Sequence, residues 1–205
     1  MRIGHIIYKT PNLKQTVEEW REKGFEVEYG TKGKSHNALI YFTEGPFIEL
    51  LGPVHIPSPV QFLMKLFGKY ALHRFKKLID APYGWVDMAI EKDPGDLTEE
   101  INYLKSRGMK GTYLRHSYRK DTKNRKLKFK NFFPENNEMP FLMSYYTMDP
   151  KPKDFTQPNG LRRIKSITYR VHPSCKEELE HLVDDPTLRL VCDGQDSKIL
   201  EVEYE

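Results

Sequence analysis

Cysteine is nearly absent from this chain: 205 residues hold two, Cys175 and Cys192. So few, so placed, make neither a disulfide framework nor the close pairs of a zinc site, and they fit a reducing compartment. Long apolar runs are lacking as well. No stretch approaches the roughly 18 uninterrupted apolar residues of a membrane span. The amino terminus shows no signal-peptide pattern, since Met1-Arg2 leads directly into a strand-like segment, and a cytoplasmic protein is expected. Charge of one sign is scarce in sum: 33 Lys and Arg against 29 Asp and Glu leave a net +4. That excess is too small to demand a polyanionic partner, but it favours anionic ligands over cationic ones. With 38% hydrophobic residues, the chain has enough apolar side chains for a proper core.

What is present is a pattern that occurs twice. Leu13, Val17, Trp20, Gly24 and Phe25 recur as Leu97, Ile101, Leu104, Gly108 and Met109, with every internal spacing kept. Each set reads as one amphipathic helix ending at a glycine suited to a left-handed stop. A short apolar strand precedes each helix, at 3–8 and 85–91, through a proline-containing turn. Strand-like segments follow at 25–30, 37–42 and 47–51 in the first copy, and at 112–118, 127–133 and 141–147 in the second. Both copies open their last strand with Pro-Phe, Pro46-Phe47 and Pro140-Phe141. Two βαβββ modules, 1–54 and 83–150, are expected to share one cleft, because a unit of this size buries its apolar face against its twin.

Three segments fall outside the repeat. Residues 55–82 read as a helical insertion of one or two helices, breakable at Gly68, with Phe62, Leu66, Phe67, Phe75 and Leu78 among its apolar positions. It is expected to pack on the modules, cap the cleft or form a homodimer contact. Residues 115–130 carry eight basic residues and one acid, Asp121. Alternation of Lys126, Lys128 and Lys130 with Leu127, Phe129 and Asn131 reads as a hairpin strand with one wet face, so a nucleic-acid partner is not expected. Residues 151–205 read as an irregular linker and a partial βαββ unit, with a Ser174/Glu177 capping box and a hairpin of 188–192 with 199–204 around Asp193-Gly194. The expected fold class is α+β.

One residue calls for a reason of its own. Glu49 sits inside an apolar strand, Phe47-Ile48-Glu49-Leu50-Leu51, where a carboxylate is costly without a metal, a cation or hydrogen-bond donors.

The paired modules, the first-strand histidine in Gly4-His5-Ile6-Ile7-Tyr8, Asn37-Ala38-Leu39-Ile40 in the third strand and the Glu49 strand resemble the vicinal oxygen chelate superfamily, and within it the glyoxalase-like domain proteins. The resemblance spans residues 1–150. It implies modules curved into a mixed-sheet cleft, and a divalent metal (Zn, Ni, Mn or Fe) held by a first-strand histidine or glutamine and a last-strand glutamate from each module. Carried over, His5 and Glu49 match as metal ligands, with Glu49 also the catalytic proton carrier. In the second module their counterparts are Met88 or Ala89 and Met143 or Ser144, none a normal ligand for such a metal. His36, His116 and Asp87 are then the candidates for a third ligand, with Asp87 one position off and expected to point to the other face if the strand is regular. Asn37, Tyr8, Tyr41 and Arg119 are candidate ligand-binding residues. Two function classes follow: a metal-dependent lyase, isomerase or dioxygenase acting on a small molecule, or a non-catalytic protein that binds or sequesters one.

Overall fold

The repeat read from the sequence is the symmetry of the main sheet. In the computed structural model, which describes residues 1–205, the first module supplies β1 (Arg2–Lys9), α1 (Leu13–Glu22), β2 (Glu28–Tyr29), β3 (Asn37–Ile40) and β4 (Phe47–Leu51). The second supplies β5 (Gly84–Lys92), α4 (Thr98–Ser106), β6 (Gly111–Lys120), β7 (Lys126–Pro134) and β8 (Phe141–Ser144). Between them lie α2 (Ser58–Phe67) and α3 (Lys69–Asp80). The eight strands form one curled mixed sheet in the order β2-β3-β4-β1-β5-β8-β7-β6. Each half thus has the same internal order, and the halves join through the antiparallel pair β1 and β5.

Both repeat helices end as their sequences require. Gly24 and Gly108 lie at φ +78° and +81°, the left-handed region that only glycine enters without strain. At its start, α1 is capped by Asn12, whose side chain accepts from the Gln15 amide. The helices lay Val17, Trp20, Leu97, Ile101 and Leu104 on one face of the sheet, where Ile6, Ile48, Leu50, Met88, Ile90 and Leu142 form the main core. Period-two alternation sends the intervening side chains to the opposite, concave face.

The carboxy-terminal segment corrects two expectations. Its strands β9 (Ile164–Arg170), β10 (Leu188–Val191) and β11 (Lys198–Tyr204) form a separate sheet in the order β10-β9-β11, so β10 and β11 flank β9 and make no hairpin with each other. β10 runs parallel to β9 and β11 antiparallel, and Ile167, Tyr169 and Ile199 add to the main core. The expected capping box is replaced by a 3-10 turn (Pro173–Cys175) before α5 (Lys176–Leu182): His172 Nδ1 accepts from the Ser174 amide, and no side chain caps α5.

The insertion is two helices that meet at Gly68, and they have different roles. α2 has no buried residue and leaves Phe62, Leu63, Leu66 and Phe67 exposed. α3 covers the concave face, burying Ala71, Leu72, Arg74 and Leu78.

Candidate functional site

The concave face encloses a cavity of about 420 Å3. His5, Ile7 and Lys9 reach it from β1, Leu39 and Asn37 from β3, and Glu49 and Leu51 from β4. The second module contributes Phe129, Asn131 and Phe133 from β7, Phe141 and Met143 from β8, and Arg119 from β6. α3 roofs it with Arg74, Phe75, Leu78 and Ile79. Most of the wall is apolar, and the rings are packed together: Phe133 stacks on Phe141 at 5.4 Å and touches Phe75 at 5.6 Å.

At the cavity floor His5 and Glu49 stand together. The registers His5 with Phe47 and Ile7 with Glu49 place them two residues apart along paired strands, and His5 Nε2 lies 3.6 Å from Glu49 Oε2. That is beyond hydrogen-bond length. The other carboxylate oxygen accepts from Asn37 Nδ2 at 2.7 Å. The imidazole stacks on Phe47 at 4.7 Å and meets the edge of Phe141 at 5.6 Å, while its Nδ1 is buried with no partner.

This apolar setting opposes charge on both groups. Burial, helped by the cations Arg119 and Lys151, pushes the His5 pKa down to about 3, so the ring is neutral at physiological pH. Burial pushes the Glu49 carboxyl up, with Asp87 adding to the rise and Asn37 and Arg119 opposing it. A carboxyl raised in the folded state adds stability below its usual range and loses that contribution as pH rises through its folded value. Glu49→Gln is therefore expected to melt a few degrees higher than the wild type at pH 7, with the two curves converging toward pH 4. Equal melting at both pH values in differential scanning calorimetry would refute the upward shift.

Arg119 spans the two modules. Its Nε donates to the Tyr146 hydroxyl and Nη1 to the Gly30 carbonyl, each at 3.2 Å, and Nη2 donates to the Tyr41 hydroxyl. Its guanidinium also sits 4.9 Å from the Tyr146 ring centroid. Arg74 is held differently. It makes a two-pronged ion pair with Asp87 through Nε and Nη2, and Nη1 donates to the carbonyls of Asn137 and Met139.

The structure thus sorts the candidates read from the sequence. His5, Glu49, Asn37 and Arg119 line one cavity. Tyr41 is set behind it, packed on Phe47 at 5.1 Å with its hydroxyl on Arg119. Tyr8 is on the other face, edge-on to Trp20 and Trp85, because alternation along β1 sends residues 6 and 8 to the helix side. His36 and His116 are exposed. Asp87 does lie on the concave side of β5, but both its oxygens are occupied by Arg74.

The two parallel strand pairs settle the second-module counterparts. Phe47 pairs with His5 as Phe141 pairs with Ala89, and Ile7 pairs with Glu49 as Glu91 pairs with Met143, so His5 corresponds to Ala89 and Glu49 to Met143. A methyl group and a thioether replace two donors. No group of three His, Cys, Asp or Glu side chains is placed to hold a metal ion, and the expected third ligand is not supplied by His36, His116 or Asp87. The donors present do not fit the four-ligand centre that the resemblance implied.

Sequence reasoning passed over Lys9, Arg74 and Asn131. Each carried a signal: Lys9 continues the His5, Ile7 alternation, Asn131 is a polar residue on the Leu127, Phe129 face, and Arg74 lies on the Ala71, Leu78 stripe of α3. The basic face of 115–130 is solvated in part, with Lys126 and Lys128 exposed and Leu127 buried, while Arg119 turns inward.

Known structures share this architecture. A hypothetical protein from Staphylococcus aureus is 17% identical, with 99% of this chain and 90% of that one covered at a TM-score of 0.69. The 2,3-dioxygenase LapB from Pseudomonas sp. KL28 is 9% identical, with 99% and 74% covered at 0.59. No curated protein matches the sequence. A model of the glyoxalase-like domain matches residues 3–184, nearly the whole chain, and the protein belongs to this family, within the vicinal oxygen chelate superfamily.

Proposed function

We propose that the cavity binds a small, largely apolar molecule and that Glu49 exchanges a proton with it. The observation that carries this reading is a carboxyl and a neutral imidazole held 3.6 Å apart on the floor of an aromatic cavity. A carboxyl that burial raises above its usual range is a stronger base when ionised than an exposed one, and it gives the same proton back when protonated. With a carbon acid as ligand, the Glu49 carboxylate takes a proton from carbon, leaving an enolate. Return of that proton to the same or a neighbouring atom restores the carboxylate, with no other reactant consumed. His5 offers the developing oxyanion one N–H, and Asn37 fixes the Glu49 rotamer through Oε1.

The test is deuterium incorporation from solvent at the α-carbon of aryl ketones such as acetophenone, followed by NMR. Glu49→Gln is expected to slow the exchange by about 100-fold or more, in the range for loss of a general base. Equal rates in wild type and variant would overturn the proton-transfer role. Ligand binding without exchange would leave the sequestering reading, which the loss of donors at Ala89 and Met143 favours. Elemental analysis of untagged protein is a second check: near-stoichiometric metal, lost in both His5→Ala and Glu49→Ala, would replace proton exchange by metal chemistry at these two residues.

A further inference from the structure

We infer that the molecule taken by this cavity is an anion, an aryl or alkyl carboxylate of one aromatic ring or similar size, with its head group on Arg119 and its apolar body under α3. The inference rests on the binding reading above and narrows it to a ligand class.

The cations at the cavity are satisfied in different ways. Arg74 is neutralised by Asp87. Lys9 is not paired with an acid: its Nζ donates to the carbonyls of Ile79 and Ala81, at the carboxy-terminal end of α3. Arg119 likewise donates to two hydroxyls and one carbonyl, all neutral oxygens. The only acid in the lining is Glu49. With Lys9 and Arg119 on one side and Glu49 on the other, the cavity is positive whether or not Glu49 is ionised, and an anion inside it is favoured in either state.

Arg119 also has the capacity to bind one. A guanidinium carries five N–H donors, and three are used, one each on Nε, Nη1 and Nη2. One N–H therefore remains on each Nη, the number a carboxylate engages in two parallel charge-assisted bonds. The side chain is held in place by both modules, through Gly30 and Tyr41 on one side and Tyr146 on the other, so little freedom is lost when a ligand binds. Phe129, one turn of alternation from Asn131, packs edge-on to Tyr146 at 5.4 Å and continues the aromatic wall from Arg119 toward Phe133. A flat apolar body attached to the anionic group has that wall to lie on.

The experiment compares matched pairs of probes, benzoate, phenylacetate, cinnamate and 2-naphthoate against their primary amides, by ligand-observed NMR and calorimetry. The wild type is expected to bind at least one carboxylate tenfold more tightly than its amide. Arg119→Gln is expected to erase that preference while leaving amide affinity within about twofold, and Arg119→Lys to keep part of it. Lys126→Gln with Lys128→Gln, on the outer face of the hairpin, is expected to change nothing. Amides that bind as tightly as carboxylates to the wild type would overturn the inference and leave the cavity reading standing. Failure of both series to bind would overturn the cavity reading itself. A preference that survives Arg119→Gln in a protein of unchanged melting temperature would move the anion away from Arg119 and overturn the assignment.

Discussion

Arg74→Ala is expected to unfold the protein at a temperature about 10 °C lower than the wild type. The pair it forms with Asp87 is almost sealed, with side-chain exposures of 3% and 8%. Removing the guanidinium leaves a buried carboxylate without its counter-ion and the Met139 carbonyl without its donor, while the Asn137 carbonyl keeps only Lys77. Breaking one partner of a buried ion pair costs about 3–5 kcal/mol, and in a chain of this size each kcal/mol moves the melting point by about 2–4 °C. The double substitution Arg74→Met with Asp87→Leu removes both charges and is expected to recover most of the loss. Thermal and urea unfolding of the three variants measure it. If Arg74→Ala melts within 2 °C of the wild type, the pair does not hold α3 to the sheet in solution.

The second large effect is on acid stability. A histidine whose folded pKa is depressed contributes stability that is fully present above its unfolded value of about 6.5 and is lost as pH falls through the folded value, which for His5 is about 3. Across that window the slope is about 1.4 kcal/mol per pH unit, several kcal/mol in all. Carboxyls held below their usual range by hydrogen bonds and cations, such as Asp96, Asp121 and Glu138, act at lower pH, so the interval from 6.5 to 4.5 belongs chiefly to His5. Glu49 runs the opposite way and takes up its proton early, which returns part of the loss. His5→Leu keeps comparable volume between Phe47 and Phe141 and removes a ring nitrogen with no partner. Its stability is expected to match the wild type near pH 7 and to stay nearly flat down to pH 4.5, as read by denaturant titrations at each pH. A wild-type curve as flat as that of His5→Leu would refute the depressed pKa.

Why some of this was legible in the sequence and some was not follows from the range of the forces involved. The two modules were readable because helix amphipathicity, a glycine stop and strand alternation are local, and the chain writes them twice. Glu49 was readable because a carboxylate between Ile48 and Leu50 conflicts with its strand. Strand partnership in the tail was not readable: β10 and β11 look like hairpin arms around Asp193-Gly194, yet β9 lies between them, and what decides this is burial of Ile167, Tyr169 and Ile199 against the main core. The face of Tyr8 followed from the position of His5, two faces alternating along one strand, so its place among Trp20 and Trp85 was implicit in the same pattern that marked the histidine. The link between Arg74 and Asp87 joins an insertion to a module and leaves no periodic trace. From the residues alone Arg119 reads as one more solvated cation of a basic hairpin, because the irregularity between Leu114 and Ser117 that shifts the register of β6 is invisible in composition, and only the family resemblance marked it as a ligand-binding candidate.

The substitution of Ala89 and Met143 for the counterparts of His5 and Glu49 has a consequence for how a ligand sits. A cleft built from two equal halves presents the same groups from both sides, so an unsymmetrical guest fits it in two opposed poses of equal energy, and only one of them brings its reactive atom to a given carboxyl. Here one half offers a carboxyl and an imidazole while the other offers a methyl group and a thioether. The polar end of a guest has a single side to face, the one where Gly30 and Tyr41 of the first module hold Arg119, and its apolar end lies against Phe133 and Phe141. Divergence of the second copy has made the pocket handed, and a handed pocket holds its ligand one way round.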